Sequence, residues 1–457
     1  MILYILSVQC SFHRYSHFIT NLSEIPKTFM VMRLNTFHKS GNFVAIISRI
    51  METFKYRFIF KHFIMAEIDI TKIREIGLRL SQSVLNFTPR SFIHQIKPGK
   101  EPRIQVLVGF RGLGKTTALL QLLKQDKSAY FSMDHPYVLG ASLYELGKTF
   151  ITAGYNTILV DEVHHYKEWK RDCKALYDEF SEASILISGS APLAFEPERR
   201  YSIIAVDPMS LKEFAELQGK KITCPENTWQ DEEKTLNFLA AHNWIREYVP
   251  RYFQGGGFPI YFTYQEKTLD AIYNSIGKSI REDAPFFAHI SGEDTQTMTK
   301  MLFSLATGSL GEFSINSLTQ QLEIKKHKGY ELISLLEKMK ILRMVRPRGS
   351  GPKLIRGDPK LLFYHPNLRS ALCAALKVQP NIGALREELA VFALSARGWL
   401  VSTIRGMKKN PDYYIQKGNK KIVVEVGGNS KDRSQLQGFE EETQLLDERK
   451  LITLALF

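Results

Sequence analysis

The chain has little that would staple it or anchor it. Four cysteines, Cys10, Cys173, Cys224 and Cys373, are scattered over 457 residues with no CxxC spacing. That pattern excludes a disulfide framework and a zinc ribbon, and it points to a reducing cytoplasm. No stretch approaches the roughly 18 consecutive apolar residues of a membrane span, so no membrane partner is expected. Acidic residues are also short: 47 Asp and Glu face 61 Lys and Arg, for a formal net charge of +14. A surplus of that sign suits a polyanionic partner, most often nucleic acid. With 44% hydrophobic and 24% charged residues the composition is that of an ordinary globular protein. Its length suggests about three domains.

The first 64 residues differ from the rest. They hold eight Lys/Arg against two Asp/Glu, with no clear period of 2 or 3.6. ILYILSV is short for a signal-peptide core, has no basic segment before it and no A-x-A-like site after it. Two readings stand, a small basic appendage or translated sequence upstream of the true start. The second is favoured, since Met65 opens a regular helical pattern, MAEIDITKIREIGLRLSQSVLNF. Without those 64 residues the net charge stays at about +8, so the basic character does not come from them.

The strongest signal is RIQVLVGFRGLGKTTALLQLLK, residues 103–124. The apolar run Ile104–Val108 reads as a buried parallel strand. Gly109, Gly112, Gly114, Lys115 and Thr116 then spell GxxxxGK[ST], with Thr117 next, and a leucine-rich helix follows. Such a loop turns several backbone N–H groups onto a phosphate at a helix N-terminus. Its lysine reaches the β/γ-phosphates, and its Thr hydroxyl ligates Mg²⁺. A second group must hold the metal, and NTILVDEVHHYKEW supplies it: Asp161 for Mg²⁺ and Glu162 to polarise the attacking water. The adjacent His164 and His165 read as solvated or packed side chains, because neighbours on a helix point different ways. A third strand, in SEASILISGSAP, delivers Ser190 as a γ-phosphate or water contact, with Ser188 as the alternative.

From these motifs the chain resembles the AAA+-type ATPases of archaea and bacteria that carry a winged-helix region and a C-terminal PD-(D/E)xK nuclease-like domain. GFRGLGKT, DEVHHYKEW with Trp169, SGS and RRYSIIAVDPMSLKEF stand in the family's order, and GGFP at Gly256–Pro259 fits its helical segment. The similarity covers roughly residues 70 to 457. It implies an α/β fold: a P-loop parallel sheet, a helical lid, a winged helix and a small C-terminal α/β nuclease-like domain. The expected divisions are 1–64 (extension), 65–210 (ATPase core with its leading helix), 211–295 (lid), 296–370 (winged helix) and 371–457 (nuclease-like). The resemblance also implies ATP with Mg²⁺. It implies too an arginine before the fifth strand, best matched by Arg200, that would reach a neighbour's γ-phosphate in a homo-oligomer. SGS replaces the usual TGS, and RR the usual GR.

Two features bear on DNA. TMTKMLFSLATG, INSLTQQLEI, KGYELISLLEKMKIL and RMVRPRGSGPKLIRG read as three helices and a hairpin. Eleven Lys/Arg stand against four Asp/Glu between Gln321 and Lys360, with Arg346, Arg348, Lys353 and Arg356 near the wing. Six phosphate contacts would give a log–log salt slope of roughly −5; a protein-docking spacer would give none. Near the end, PDYYIQKGNKKIVVEVGG reads as a hairpin turning at Gly418-Asn419, with paired residue numbers summing to 837. Asp412 and Glu425 then oppose each other, which favours a shared cation such as Mg²⁺. The helix before it carries Glu387 and Glu388, and Gly398 stands where that helix should end. The lysine of a Glu-x-Lys motif is missing at Gly427; Lys431, Gln435 and Gln437 are the polar candidates in its place. The function expected is a Mg²⁺-dependent ATPase switch on DNA. The alternatives are an ATP-regulated nuclease or toxin-like effector, and a non-hydrolysing scaffold for a protein partner.

Overall fold

Four short runs are buried along almost their whole length and so cannot be half-exposed strands. They are β1 (Ile104–Val108), β2 (Ser128–Ser132), β3 (Thr157–Asp161) and β4 (Ser184–Gly189). With the partly exposed edge strand β5 (Tyr201–Ala205) they form a five-stranded sheet in the order β2-β3-β4-β1-β5, parallel throughout. Parallel sheets need cover on both faces, which is why these strands read as unbroken apolar runs. The computed structural model describes residues 69–123, 127–189, 199–308, 314–349, 358–404, 410–428 and 433–457. The expectations for residues 1–64, Ser190, Lys353, Arg356 and Lys431 lie outside them.

Helix α1 (Ile70–Gln82) starts at Asp69, whose carboxylate accepts the N–H groups of Thr71 and Lys72. Its Gly77 lies against Tyr130 of β2. The crossovers are α2 (Lys115–Gln121), α3 (Leu143–Thr152) and α4 (Trp169–Glu179). After β5 come α5 (Leu211–Glu216), α6 (Glu232–Ala241), α7 (Ile245–Arg251), α8 (Tyr261–Tyr264) and α9 (Thr268–Lys278). Next are α10 (Gly292–Thr307) and α11 (Ile315–Gln321), capped by Ser291 and Ser314, then α12 (Lys326–Lys338). An antiparallel pair, β6 (Leu342–Val345) and β7 (Lys360–Phe363), follows.

The last part holds α13 (Pro366–Ala375), α14 (Ile382–Ala396), β8 (Leu400–Ser402), β9 (Tyr413–Lys417), β10 (Lys420–Val426), β11 (Glu442–Leu446) and α15 (Glu448–Ala455). Its sheet runs β11-β10-β9-β8, with β10 and β11 parallel. The hairpin register matches the sequence expectation: Lys417 faces Lys420, Ile415 faces Ile422 and Tyr413 faces Val424.

These segments do not pack as beads on a string. One apolar core joins the first sheet (Leu107, Leu159, Leu186) to α9 (Ile272, Ile276), α11 and α12 (Leu318, Leu336), and α13 (Leu368, Leu372). A second joins α5 (Phe214) and Tyr252 to α14 (Phe392), β9 and β10 (Tyr413, Val424), and α15 (Leu454). The helical stretch after β5 is thus shared between two cores, and it couples the C-terminal sheet to the rest.

One cation pins the first of these junctions. The buried Arg90 guanidinium makes a double hydrogen bond to Glu213 on α5 (3.1 and 2.8 Å) and donates to the carbonyls of Leu113 and Asp207. Burial alone would raise the Glu213 carboxyl, but Arg90 and Ser91 outweigh it and hold it below the ordinary 4.5. A carboxylate depressed in this way contributes stability that is complete above its unfolded value and lost as pH falls through the folded one. Arg90→Met, which leaves Glu213 buried and unpaired, should therefore cost about 3–5 kcal/mol at neutral pH. Urea denaturation should show that loss shrinking as pH falls through the acid range, first as the stranded buried carboxyl takes up its proton and then as the paired Glu213 of the wild type does. A loss under about 1 kcal/mol, or one that does not change with pH, would contradict this role.

Candidate functional site

The C-terminal edge of the parallel sheet gathers the polar residues. Strand β1 ends at Val108, and the chain turns at Gly109 because nothing larger fits: a Cβ there would stand 2.1 Å from the Val206 carbonyl oxygen. Gly112 and Gly114 take left-handed backbone angles (φ +80° and +87°), which glycine adopts without steric cost. The loop then closes onto the start of α2. Lys115 is buried, and its ammonium donates to the carbonyls of Gly109 (2.8 Å) and Phe110 (2.9 Å). Burial pulls its pKa down, against the pull of Glu162 and Asp161.

Asp161 ends β3 one strand beyond β4, and its carboxylate is held from both sides. Tyr130 of β2 donates its hydroxyl at 3.0 Å, and Ser188 of β4 donates to the other oxygen. The pair leaves Asp161 oriented and almost fully buried. Glu162 follows with φ +47°, a left-handed angle unusual for a residue with a side chain. Its N–H lies 3.4 Å from Ser188 Oγ. Burial and the neighbouring Asp161 charge raise its pKa, against Lys115, His164 and Arg111.

A cavity of about 430 Å³ opens beside these groups. Gly112, Gly114, Lys115, Thr116, Thr117 and Glu162 line it, together with the apolar Phe87, Ile93, Leu217, Pro259 and Phe262. The sequence-expected Gly109, Gly112, Gly114, Lys115, Thr116, Thr117, Asp161 and Glu162 therefore come together. Ser188, the alternative to Ser190, is present as a partner of Asp161. Arg200 is not part of this group. It precedes β5, whose first residue pairs with Ile104 at the opposite end of β1, and it lies 3.4 Å from Asp178. It is out of reach of its own phosphate loop. The histidines are packed rather than solvated: His164 is buried, with its ring 4.6 Å from that of His165 and 5.4 Å from that of Phe286.

Residues 101–215 match the family model described as "AAA domain". That stretch is similar to an AAA domain, and the five-stranded parallel sheet it spans is consistent with a P-loop ATPase fold. Residues 246–381 match a second model, described as "Domain of unknown function (DUF8612)". The AAA domain's chain is 26% identical over 415 residues to "Uncharacterized protein MJ1637" of Methanocaldococcus jannaschii, covering 83% of this chain and 86% of the relative. Among solved structures, the Walker-type ATPase PABY2304 of Pyrococcus abyssi aligns with a TM-score of 0.36 and 13% identity, over 65% of this chain and 95% of that one. A STAND protein with a tetratricopeptide-repeat sensor, PH0952 of Pyrococcus horikoshii, aligns with a TM-score of 0.24 and 10% identity, over 68% and 47%.

Several residues around the AAA site escaped the sequence reading. Arg90, Tyr130 and Asp283 stand in no motif, and Arg111 stands in GFRGLGKT, where nothing points to its distant partner. Arg111 donates to both oxygens of Asp283 (3.2 and 2.6 Å), 172 residues away. Its place in the GFRGLGKT loop was the one sign that Arg111 mattered.

The C-terminal carboxylates carry a further surprise. Asp412 and Glu425 do sit across the hairpin from each other, and each accepts a backbone N–H of the facing strand, from Val426 (3.0 Å) and Asp412 (3.1 Å). Among the described residues a cation, Lys360 of β7, stands beside Asp412, and its strand gave no sign of that placement. Its ammonium bonds to Glu387 and lies 3.6 Å from Asp412 Oδ1. Tyr413 donates to the same Glu387 at 2.7 Å. Buried Glu388 turns the other way, to Arg369 (2.8 Å). Much of the basic surplus is likewise committed: Lys328 pairs with Asp294, Lys340 with Asp207, Arg346 with Glu337 and Arg348 with Glu441. Among the described residues no helix is long and apolar enough to cross a membrane.

The tightest steric demand in the site is testable. Gly109→Ala should push the end of β5 away from the loop, cost about 1–3 kcal/mol and weaken binding of a fluorescent ATP analogue about tenfold or more. Unchanged affinity and stability would show that the close approach to Val206 has no role.

Proposed function

We propose that this chain is a Mg²⁺-dependent ATPase that uses its nucleotide state to move a winged-helix and nuclease-shaped C-terminal half on DNA. The observation that carries the first part is the convergence of the Gly109–Thr117 loop, buried Lys115, the doubly held Asp161 and Glu162 around one cavity. Lys115 and the loop N–H groups bind the β- and γ-phosphates. The Thr116 hydroxyl and Asp161 would hold Mg²⁺, which, when bound, neutralises charge on the transferring phosphoryl group. That donor set fits: two oxygens on rigid elements, with Tyr130 and Ser188 fixing the carboxylate behind them. Glu162, its pKa raised by burial, accepts the proton of the attacking water. Phe87 and Phe262 offer flat apolar faces to the base. Arg200, remote from its own site, acts on a second copy's γ-phosphate in an oligomer.

The DNA assignment rests on the helix-helix-helix-hairpin order of α10, α11, α12, β6 and β7 together with the surplus of positive charge. Asp207 links this half to the ATPase sheet, since it follows β5 and its carboxylate binds both Lys340 (2.7 Å) and Tyr364 (2.8 Å). A shift of β5 on hydrolysis would pass to α12 and β7 through that carboxylate. With several basic residues already paired, the salt slope for duplex binding should be shallower than a six-phosphate footprint gives, roughly −2 to −4. For the C-terminal sheet we favour binding over cleavage. Lys360 neutralises Glu387 and Asp412 from within, and no lysine follows Glu425 at position 427.

The test is steady-state ATP turnover with and without duplex DNA. Wild type should hydrolyse ATP in Mg²⁺, accelerate when DNA is added, and lose turnover about 100-fold or more in Lys115→Ala. The same samples should leave supercoiled DNA uncut. Turnover indifferent to DNA would move the partner from nucleic acid to protein. Mg²⁺-dependent nicking abolished by Asp412→Ala would replace the binding role of the tail with a nuclease.

A further inference from the structure

Glu162 is not the end of the polar chain at the site. His164, two residues on, places Nδ1 3.3 Å from Glu162 Oε2 and Nε2 3.8 Å from Asp283 Oδ1. Asp283 comes from the turn after α9, and Arg111 of the phosphate loop grips it, with a further contact to Glu282 at 3.3 Å. His164 and Asp283 are both about 1% exposed. The imidazole cannot turn freely, because Phe286 stands edge-on to it at 5.4 Å and the His165 ring lies at 4.6 Å. Packing thus points one ring nitrogen at the candidate base and the other at a carboxylate on a different segment. A base oriented by a second group, itself oriented by a carboxylate, is the arrangement that activated water and activated nucleophiles require.

We infer that His164 and Asp283 are positioning residues for Glu162, and that Arg111 makes their alignment depend on the phosphate loop. The helical segment after β5 would then control the chemical step through Asp283. Both gaps are longer than a made hydrogen bond of about 2.7–3.2 Å. Arg111, with hydrogen bonds to both oxygens of Asp283, sets where that carboxylate stands against the ring. This rests on the ATPase reading and adds to it the residues that decide whether the base is aligned.

The test is a double-mutant cycle read as kcat and, separately, as nucleotide Kd. His164→Ala should lower kcat about 10–100-fold and leave Kd for a fluorescent ATP analogue within about threefold. His164→Asn should recover much of kcat, because an amide nitrogen near the Nδ1 position keeps a donor facing Glu162. Asp283→Asn should cost about tenfold in the wild-type background and less than about twofold beside His164→Asn, whose short side chain no longer reaches Asp283. Equal costs in both backgrounds, or loss of kcat and nucleotide affinity together, would overturn the relay. So would wild-type kcat in His164→Ala while Lys115→Ala is inactive, and that result would leave the ATPase reading standing. No turnover in wild type would overturn both.

Discussion

The buried Arg90 guanidinium is the contact on which the site's geometry depends. It spans the segment before β1, the Leu113 carbonyl of the phosphate loop, the Asp207 carbonyl beyond β5 and the Glu213 carboxylate of α5. A guanidinium can satisfy several acceptors in one plane, which lysine cannot. Buried without them it would be costly. The loop that cradles phosphate is therefore fixed to the element that leads into the C-terminal half. Asp207 extends the same path, with its carbonyl on Arg90 and its side chain on Lys340 and Tyr364.

The electrostatics of the site follow from its burial. Lys115, Asp161 and Glu162 lie in a region where unpaired charge is expensive, and each is offset by a specific partner. Lys115 sits on two loop carbonyls, Asp161 takes two hydroxyls, and Glu162 faces His164. The result is an arrangement with few degrees of freedom, in which a raised glutamate pKa suits a group that must take up a proton. The tail shows the same economy of charge. Asp412 and Glu387 are brought together by the hairpin and α14, and Lys360 arrives from β7 to compensate them.

What was legible in the sequence was local. GFRGLGKT between an apolar run and a leucine-rich helix specifies its own strand, turn and helix. Gly418-Asn419 fixed the hairpin register, because a two-residue turn leaves one way to pair Ile415 with Ile422. Gly398 does end α14, with φ +80°. The contacts that complete each site were not legible, because they join distant residues: Arg90 to Glu213 across 123 positions and Arg111 to Asp283 across 172. Lys360 belongs to a strand whose own sequence says nothing about Glu387. The sequence left the histidines either solvated or packed, and what decides between the two is again a distant residue. Neighbours on a helix point different ways, but here Val163–His165 form a short 3-10 turn, and Phe286 packs against both rings.

The claim at the centre is that Glu162 performs the chemical step in a site already built to bind nucleotide. The most direct measurement compares ATP affinity and single-turnover hydrolysis in wild type and Glu162→Gln, which keeps the shape and removes the base. Affinity should stay within about threefold while hydrolysis falls about 100-fold or more. Hydrolysis at the wild-type rate in Glu162→Gln would contradict it.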